Sequence, residues 1–457
     1  MTHTRLCRRL VCVFIACIIL LITVTPVSAE GLRYEFPETE EETIVSPSAM
    51  LLYMGIRPEK DVILYEKEAD VRYQPGSLMR VAMLGYTMKL ITDQNIDIDT
   101  ETAEYTLYQF NHYVAGTGLH VALMNFGETW TLRDLLTVCA IQTAADCAVA
   151  LATKLSGSPE AFVEGLNAFS QELGCKNSHF TNVMGLNDEG QYMSARDVMT
   201  FTRYAMQYSE VKAMLELDSW AVTPVSGGKA RSWPNSNDML RESQSVFYKY
   251  AVGGRTGGTL SEMSLVEYGS LDGYDYMAIV MGAPKKDEKG HLTNHAYSDA
   301  RLLIRWGLLD FIYEPLLRKN EPVGRVDVAN CADRDYVSLI PVSDLDTVVK
   351  KGTDLKKVTR EIVYTKPEFE APIKKGEVLA TMNLYLEGKR IASVSLAAAE
   401  EAPYSGLTAF WVAIGDFFTS GWIILIITIL LLIIGGYIFL VIRYNRRRNR
   451  KFRSQQQ

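Results

Sequence analysis

Residues 421–442 are an almost unbroken run of isoleucine, leucine and other apolar side chains. As a helix, about 22 such residues reach across the ~30 Å hydrocarbon core of a bilayer. A run apolar on every face has no side to turn to water, so it predicts a membrane-spanning helix rather than a core helix. Arg443, Arg446, Arg447, Arg448, Arg450, Lys451 and Arg453 come directly after it. Positive charge gathers on the cytoplasmic side of a span, which places residues 443–457 inside and the bulk of the chain outside. Just before the span, Phe410, Trp411, Phe417 and Phe418 beside Asp416 suit an interfacial helix, and residues 404–420 form this juxtamembrane segment.

The opposite end agrees with export. Arg5, Arg8 and Arg9 precede an apolar run over 10–24, and Val27-Ser28-Ala29 supplies the small residues of a cleavage point. Residues 1–29 therefore read as a signal peptide cut after Ala29, with an uncleaved anchor as the rival reading. The net charge of −7, with no basic patch interleaved with aromatics, excludes a nucleic-acid partner. Of the cysteines, Cys139, Cys147, Cys175 and Cys331 lie beyond the signal segment, include no Cys-x-x-Cys pair and read as buried thiols. His291 and His295 stand four apart in a loop-like stretch and read as surface residues. No metal or other cofactor is expected.

A chain of 457 residues has room for two or three domains. Residues 30–46 are acidic and aperiodic, which predicts a flexible spacer. Strand patterns at 49–53 and 61–65 flank Arg57-Pro58-Glu59-Lys60, and a helix is expected over 77–92. Thr131 with Asp134, Ser158 before Pro159, and Ser194 before Asp197 are helix starts. The alanine-rich stretch 140–155 predicts one central helix. Strands are expected at 221–225, 248–252, 264–268 and 276–281, then a helix over 298–311. This order predicts one α+β domain over 47–318, an antiparallel sheet covered by helices. Alternating patterns over 322–400, with a Glu387-Gly388-Lys389 hairpin turn, predict a small separate β domain.

The chemistry centres on Tyr73-Gln74-Pro75-Gly76-Ser77-Leu78-Met79-Arg80. A turn opens into an apolar helix, with Ser77 in its first turn and a basic residue three positions on, along the same face. A Ser-x-x-Lys layout exposes the hydroxyl and sets an amine to take its proton. Here the basic residue is Arg80, whose guanidinium stays protonated and cannot act as a base.

These stretches resemble the penicillin-binding D-alanyl-D-alanine carboxypeptidases of low molecular mass, which are serine peptidases. The resemblance also rests on Ile63-Leu64-Tyr65-Glu66-Lys67, Ser178-His179-Phe180-Thr181-Asn182-Val183-Met184-Gly185-Leu186, Asn235-Ser236-Asn237 and Ala371-Pro372-Ile373-Lys374-Lys375-Gly376. It implies the serine β-lactamase/DD-peptidase fold with a small C-terminal β domain. Ser77 then holds the nucleophile position, and Arg80 replaces the general-base lysine. In the second motif Thr143 replaces the serine and Ala145 the asparagine. The third is Gly254-Arg255-Thr256-Gly257, where Arg255 is expected to meet a substrate carboxylate and Thr256 and Gly257 to offer a strand edge. The implied partners are the D-Ala-D-Ala end of peptidoglycan stem peptides and, as further ligands, β-lactams.

Two functions remain open on these residues. One is a membrane-anchored carboxypeptidase that still trims stem peptides, supported by Ser77. The other is a catalytically silent wall- or partner-binding relative, supported by the joint change at Arg80 and Ala145. A β-lactamase on the same fold is a weaker third reading, since no glutamate stands where it would serve deacylation.

Overall fold

The computed structural model describes residues 32–453 apart from 40, 41, 57, 288, 333 and 420. The expected signal peptide at 1–29 lies outside the described residues. Contacts divide the chain into a larger unit, which takes in residues up to Glu314, and a smaller one drawn mainly from the residues after Glu314.

The larger unit is built on β1 (Ser48–Met54), whose seven residues are all buried. Both its faces are covered, because its alternate side chains enter two different clusters. Met50, Leu52 and Met54 join Met277, Ile279 and Met281 on one side. Ala49, Leu51 and Tyr53 join Tyr276, Ala278 and Val280 on the other. Fully burying a Leu, Ile or Met side chain contributes about 1.5–3 kcal/mol, so this double-sided sheet anchors the unit.

In chain order the elements are β2 (Val62–Lys67), a 3₁₀ turn (Gly76–Met79), α1 (Arg80–Asp93), β3 (Thr102–Tyr105) and β4 (Glu128–Thr131). A helical block comes next: α2 (Leu132–Ile141), α3 (Ala145–Ser156), α4 (Pro159–Glu172), α5 (Ala195–Ala205) and α6 (Ser209–Leu215). Then come β5 (Ser219–Val222), β6 (Arg231–Pro234), β7 (Ala251–Gly258), β8 (Glu262–Leu271), β9 (Tyr274–Pro284) and α7 (His295–Asp310). The sheet order is β2-β1-β9-β8-β7, with antiparallel neighbours. Residues of α1 to α6 pack on the Met50 face and those of α7 on the Leu51 face. The fold is α+β, an antiparallel sheet covered by helices, as the element order predicts.

The caps form where their residue types require. Thr131, Ser158 and Ser194 accept the main-chain N–H groups of Asp134, Ala161 and Asp197 at 3.1, 3.1 and 3.2 Å.

Three expectations are corrected. The stretch 140–155 is two helices, because Gln142 and Ala144 adopt extended conformations between α2 and α3. No local breaker marks this site; Ala145 N–H instead bonds His120 O at 2.9 Å, so tertiary contacts set the break. The strand expected at 248–252 is β7, displaced toward the glycines. A Cβ on Gly253 would fall 2.3 Å from the Tyr268 hydroxyl, so here glycine serves close approach. The described part of 30–46 is not a loose spacer. Phe36 and Ile44 are buried in the Leu51-side cluster, and Tyr34 N–H bonds Leu64 O at 2.7 Å.

A second sheet, drawn mainly from the smaller unit, is formed by β10 (Gly324–Asp327), β11 (Tyr336–Pro341), β12 (Thr359–Tyr364), β13 (Val378–Leu386) and β14 (Lys389–Ala398) in the order β10-β11-β14-β13-β12. Glu387 and Gly388 between β13 and β14 have φ of 51° and 78°, as a two-residue hairpin turn of right-handed twist demands. Helices α8 (Gly406–Thr419) and α9 (Gly421–Arg453) complete the chain order. Within α9, Gly421–Arg446 is 26 residues long and apolar enough to cross a membrane, a length of about 39 Å at 1.5 Å per residue. The four cysteines at 139, 147, 175 and 331 are buried and unbridged.

Candidate active site

Ser77 stands on the 3₁₀ turn that feeds α1, half-buried, and edge strand β7 runs against this turn. The approach is backbone to backbone. Gly76 has φ +51°, and a Cβ there would lie 2.0 Å from Gly258 O. A Cβ on Gly257 would lie 2.2 Å from Leu78 N and 2.5 Å from Pro75 O. Only glycine permits this contact.

The turn and the strand are hydrogen-bonded to each other. Pro75 O accepts from Gly258 N–H at 2.8 Å and from Leu78 N–H at 3.0 Å. The Ser77 hydroxyl donates to Thr256 O at 3.2 Å. Asn187 closes the join, its Oδ1 accepting from Gly76 N–H at 2.9 Å and its Nδ2 donating to Gly258 O at 3.0 Å. Sequence reasoning missed Asn187; it sits immediately after the 178–186 stretch that carried the resemblance. The loop bearing it is shaped by Asn182, which accepts from Met184 and Leu186 N–H at 3.1 and 3.0 Å.

Arg80 opens α1 and is fully buried. Its guanidinium turns to main-chain oxygens: Val183 O, Met184 O at 3.0 Å and Ala144 O at 3.3 Å, with Met83 Sδ at 3.3 Å. Among the described residues the guanidinium makes no hydrogen bond to the Ser77 hydroxyl, and its Nε has no partner. Burial draws its pKa below 12.5, while the Cys139 and Cys147 thiols and Asp146 oppose the shift. A carbonyl cage of this kind suits a permanent donor and leaves it no proton-accepting role.

The second motif lies at the break between α2 and α3. Ala145 is fully buried, and its methyl group offers nothing to hold the base position. Beside it, Asp146 accepts from Ala122, Cys147 and Met124 N–H at 2.9, 2.9 and 3.1 Å, tying the 119–124 loop to the start of α3. Thr143 is partly exposed, and its hydroxyl makes no hydrogen bond among the described residues. The hydroxyl neighbour of the third motif is Ser236, whose Oγ lies 3.3 Å from Thr256 Oγ1. Ser236 N–H in turn bonds Ile141 O at 2.8 Å.

Arg255 departs from expectation. Its side chain is 1% exposed and donates to Ala140 O at 2.9 Å and Gln142 O at 2.7 Å. Both terminal nitrogens thus hold carbonyls at the C-terminal end of α2, where a cation meets the negative end of the helix dipole. Where the resemblance implies contact with a substrate carboxylate, the guanidinium here is turned to these two main-chain oxygens. Burial first, and the like charge of Arg80 second, lower its pKa to about 9.

Behind β7 lies a carboxylic acid that sequence reasoning passed over. Glu267 is fully buried, and burial raises its pKa well above the ordinary 4.5. Asn237 Nδ2 donates to its Oε2, while Oε1 has no partner among the described residues. Asn237 Oδ1 accepts from Met239 N–H at 3.2 Å, so this pair fixes the Asn235-Ser236-Asn237 segment beneath the strand. Among the described residues no group of His, Cys, Asp and Glu could hold a metal ion.

Known proteins share this framework. The family model described as D-alanyl-D-alanine carboxypeptidase matches residues 38–285, and the one described as the C-terminal domain of penicillin-binding protein 5 matches 311–404. The chain is 25% identical over 396 residues to the D-alanyl-D-alanine carboxypeptidase DacF of Bacillus subtilis, covering 86% of this chain and 94% of that protein. It is 25% identical over 364 residues to DacA of Escherichia coli, covering 77% and 83%. Among solved structures, penicillin binding protein 5 from Haemophilus influenzae matches in fold with a TM-score of 0.63 at 23% identity, covering 80% of this chain and 100% of that one.

Proposed function

The chain belongs to the D-alanyl-D-alanine carboxypeptidase family of wall-acting serine peptidases, and we propose that it is a membrane-anchored member whose Ser77 does not turn over. The observation that carries this reading is the position of the Arg80 guanidinium, held on Val183 O, Met184 O and Ala144 O while the Ser77 hydroxyl donates elsewhere. Attack by a serine requires an acceptor for its proton. A carbonyl oxygen cannot take it, and arginine already carries its own. General-base catalysis is worth about 10²–10⁴-fold, and residues of one proton-transfer network fail together.

Several main-chain donors around Ser77 are already engaged within the fold. The N–H groups of Gly76, Leu78 and Gly258 are all committed to Asn187 or Pro75. A stem peptide laid along β7 at Gly258 would compete with Asn187 and Pro75 for the main-chain groups they already hold. In this reading residues 47–318 form the recognition domain, 322–400 the β domain, and Thr256 and Gly257 the edge a D-Ala-D-Ala end or a β-lactam would meet.

Gly421–Arg446 spans the membrane, α8 lies in the interface with Leu407, Phe410 and Trp411 exposed, and the basic tail is cytoplasmic. Retained slow hydrolysis is the second reading, favoured by Ser77 itself and the Thr256–Ser236 hydroxyl pair. Release of D-alanine from an acyl-D-Ala-D-Ala peptide separates the two. No release above that of Ser77→Ala supports the silent reading, and release abolished by Ser77→Ala establishes the enzyme.

A further inference from the structure

We propose that the outer edge of β10 is a docking strand for an extended segment of a partner protein that carries lysine or arginine at alternate positions. The inference rests on the β domain alone and does not involve Ser77. Strand β10 ends its sheet, and on the inner side it pairs with β11 from Gly324↔Leu339 to Asp327↔Tyr336. On the outer side the main-chain groups of Arg325 and Asp327 make no hydrogen bond among the described residues, while those of Val326 face β11. Outward pairing resumes only at Ala329, which donates to Phe369 O at 2.8 Å and accepts from Ala371 N–H at 2.9 Å. A slot is left, closed at the Ala329 end, with a cavity of about 540 Å³ between the strand and the 364–369 segment. An unpaired edge beside such a slot is where an extended peptide adds as a further strand.

Charge selects the occupant. Asp327, Asp335 and Glu368 line the slot, and none of the three carboxylates has a hydrogen bond or ion pair among the described residues. The cation at the slot, Arg325, lies over the Tyr336 ring at 5.3 Å. Tyr364, 44% exposed and edge-on to Phe369, adds an aromatic wall that favours a cationic side chain. Strand β10 from a second copy is disfavoured, because pairing two such edges gathers six carboxylates. The rival is the other edge strand of a second copy, β12, which carries Arg360 near Lys356 and Lys357.

The test uses the full chain in detergent and a labelled heptapeptide alternating lysine and threonine, read by fluorescence anisotropy. Two further probes are its glutamate counterpart and a version N-methylated at alternate residues. Saturable binding of the lysine peptide, and none of the other two, is the expected result. The triple variant Asp327→Asn, Asp335→Asn, Glu368→Gln should bind about tenfold more weakly with an unchanged circular dichroism spectrum. No binding of the lysine peptide, equal binding by the triple variant, or equal binding of the N-methylated peptide overturns the proposal. Self-association in sedimentation that the triple variant abolishes also overturns it, in favour of a second copy.

Discussion

The Ser77 hydroxyl donates to the main-chain oxygen of Thr256 across 3.2 Å. In the same place Pro75 O receives the N–H of Gly258, two residues further along that strand. The turn that presents the serine therefore occupies part of the β7 edge. Turn and strand are partners of one another, and the Asn187 amide holds both.

That closure depends on glycine at 257. A methyl group there would meet Leu78 N at 2.2 Å and Pro75 O at 2.5 Å, both main-chain atoms that cannot rotate away. Gly257→Ala should push β7 off the turn and lose more than about 2 kcal/mol in urea denaturation. Stability equal to the parent would show that strand and turn are not in contact in solution.

Arg80 is a structural donor in this account. Arg80→Ala leaves the oxygens of Val183, Met184 and Ala144 without their charged partner and opens a cavity beside α3. Together these effects should cost about 3–5 kcal/mol. Ser77→Ala loses one hydrogen bond at a half-buried site and should stay within about 1 kcal/mol of the parent. Chemical denaturation of both variants checks the contrast, which fails if Arg80→Ala is as stable as Ser77→Ala.

Glu267 makes stability depend on pH. Its folded pKa is raised above 4.5, so the folded chain keeps a proton that the unfolded chain releases. The stabilisation is complete below the unfolded pKa and is lost as pH rises toward the folded one. The slope is about 1.4 kcal/mol per pH unit for one proton. Glu267→Gln removes this dependence while keeping an amide that can meet Asn237. Between pH 5 and pH 8 the variant should gain stability relative to the parent as pH rises, and parallel curves from pH-resolved unfolding would contradict this.

The membrane reading has its own check. Full-length protein should stay with membranes through alkaline extraction, whereas a chain ending at residue 404 should be released to the supernatant. Retention of the shortened chain would place the anchor elsewhere.

Much of this was legible in the residues. Thr131, Ser158 and Ser194 announce helices because a side-chain oxygen before an apolar stripe meets the first orphan N–H groups. The turn at Pro75-Gly76 and the paired change at Arg80 and Ala145 also stand in plain sequence. The break at Gln142–Ala144 does not, because alanine favours helix and the contacts that interrupt it come from distant chain. Phe36 and Ile44 are isolated apolar residues among acids, so no period reveals that they reach the core. The inward course of Arg255 depends on the α2 carbonyls behind it, which no local pattern reports.

Acylation by penicillin reports whether Ser77 is an activated nucleophile. Purified protein is incubated with a fluorescent penicillin, and covalent label is tracked by denaturing gel and intact mass. No stoichiometric adduct is expected on the native chain. A penicilloyl mass on Ser77 that disappears in Ser77→Ala would contradict this.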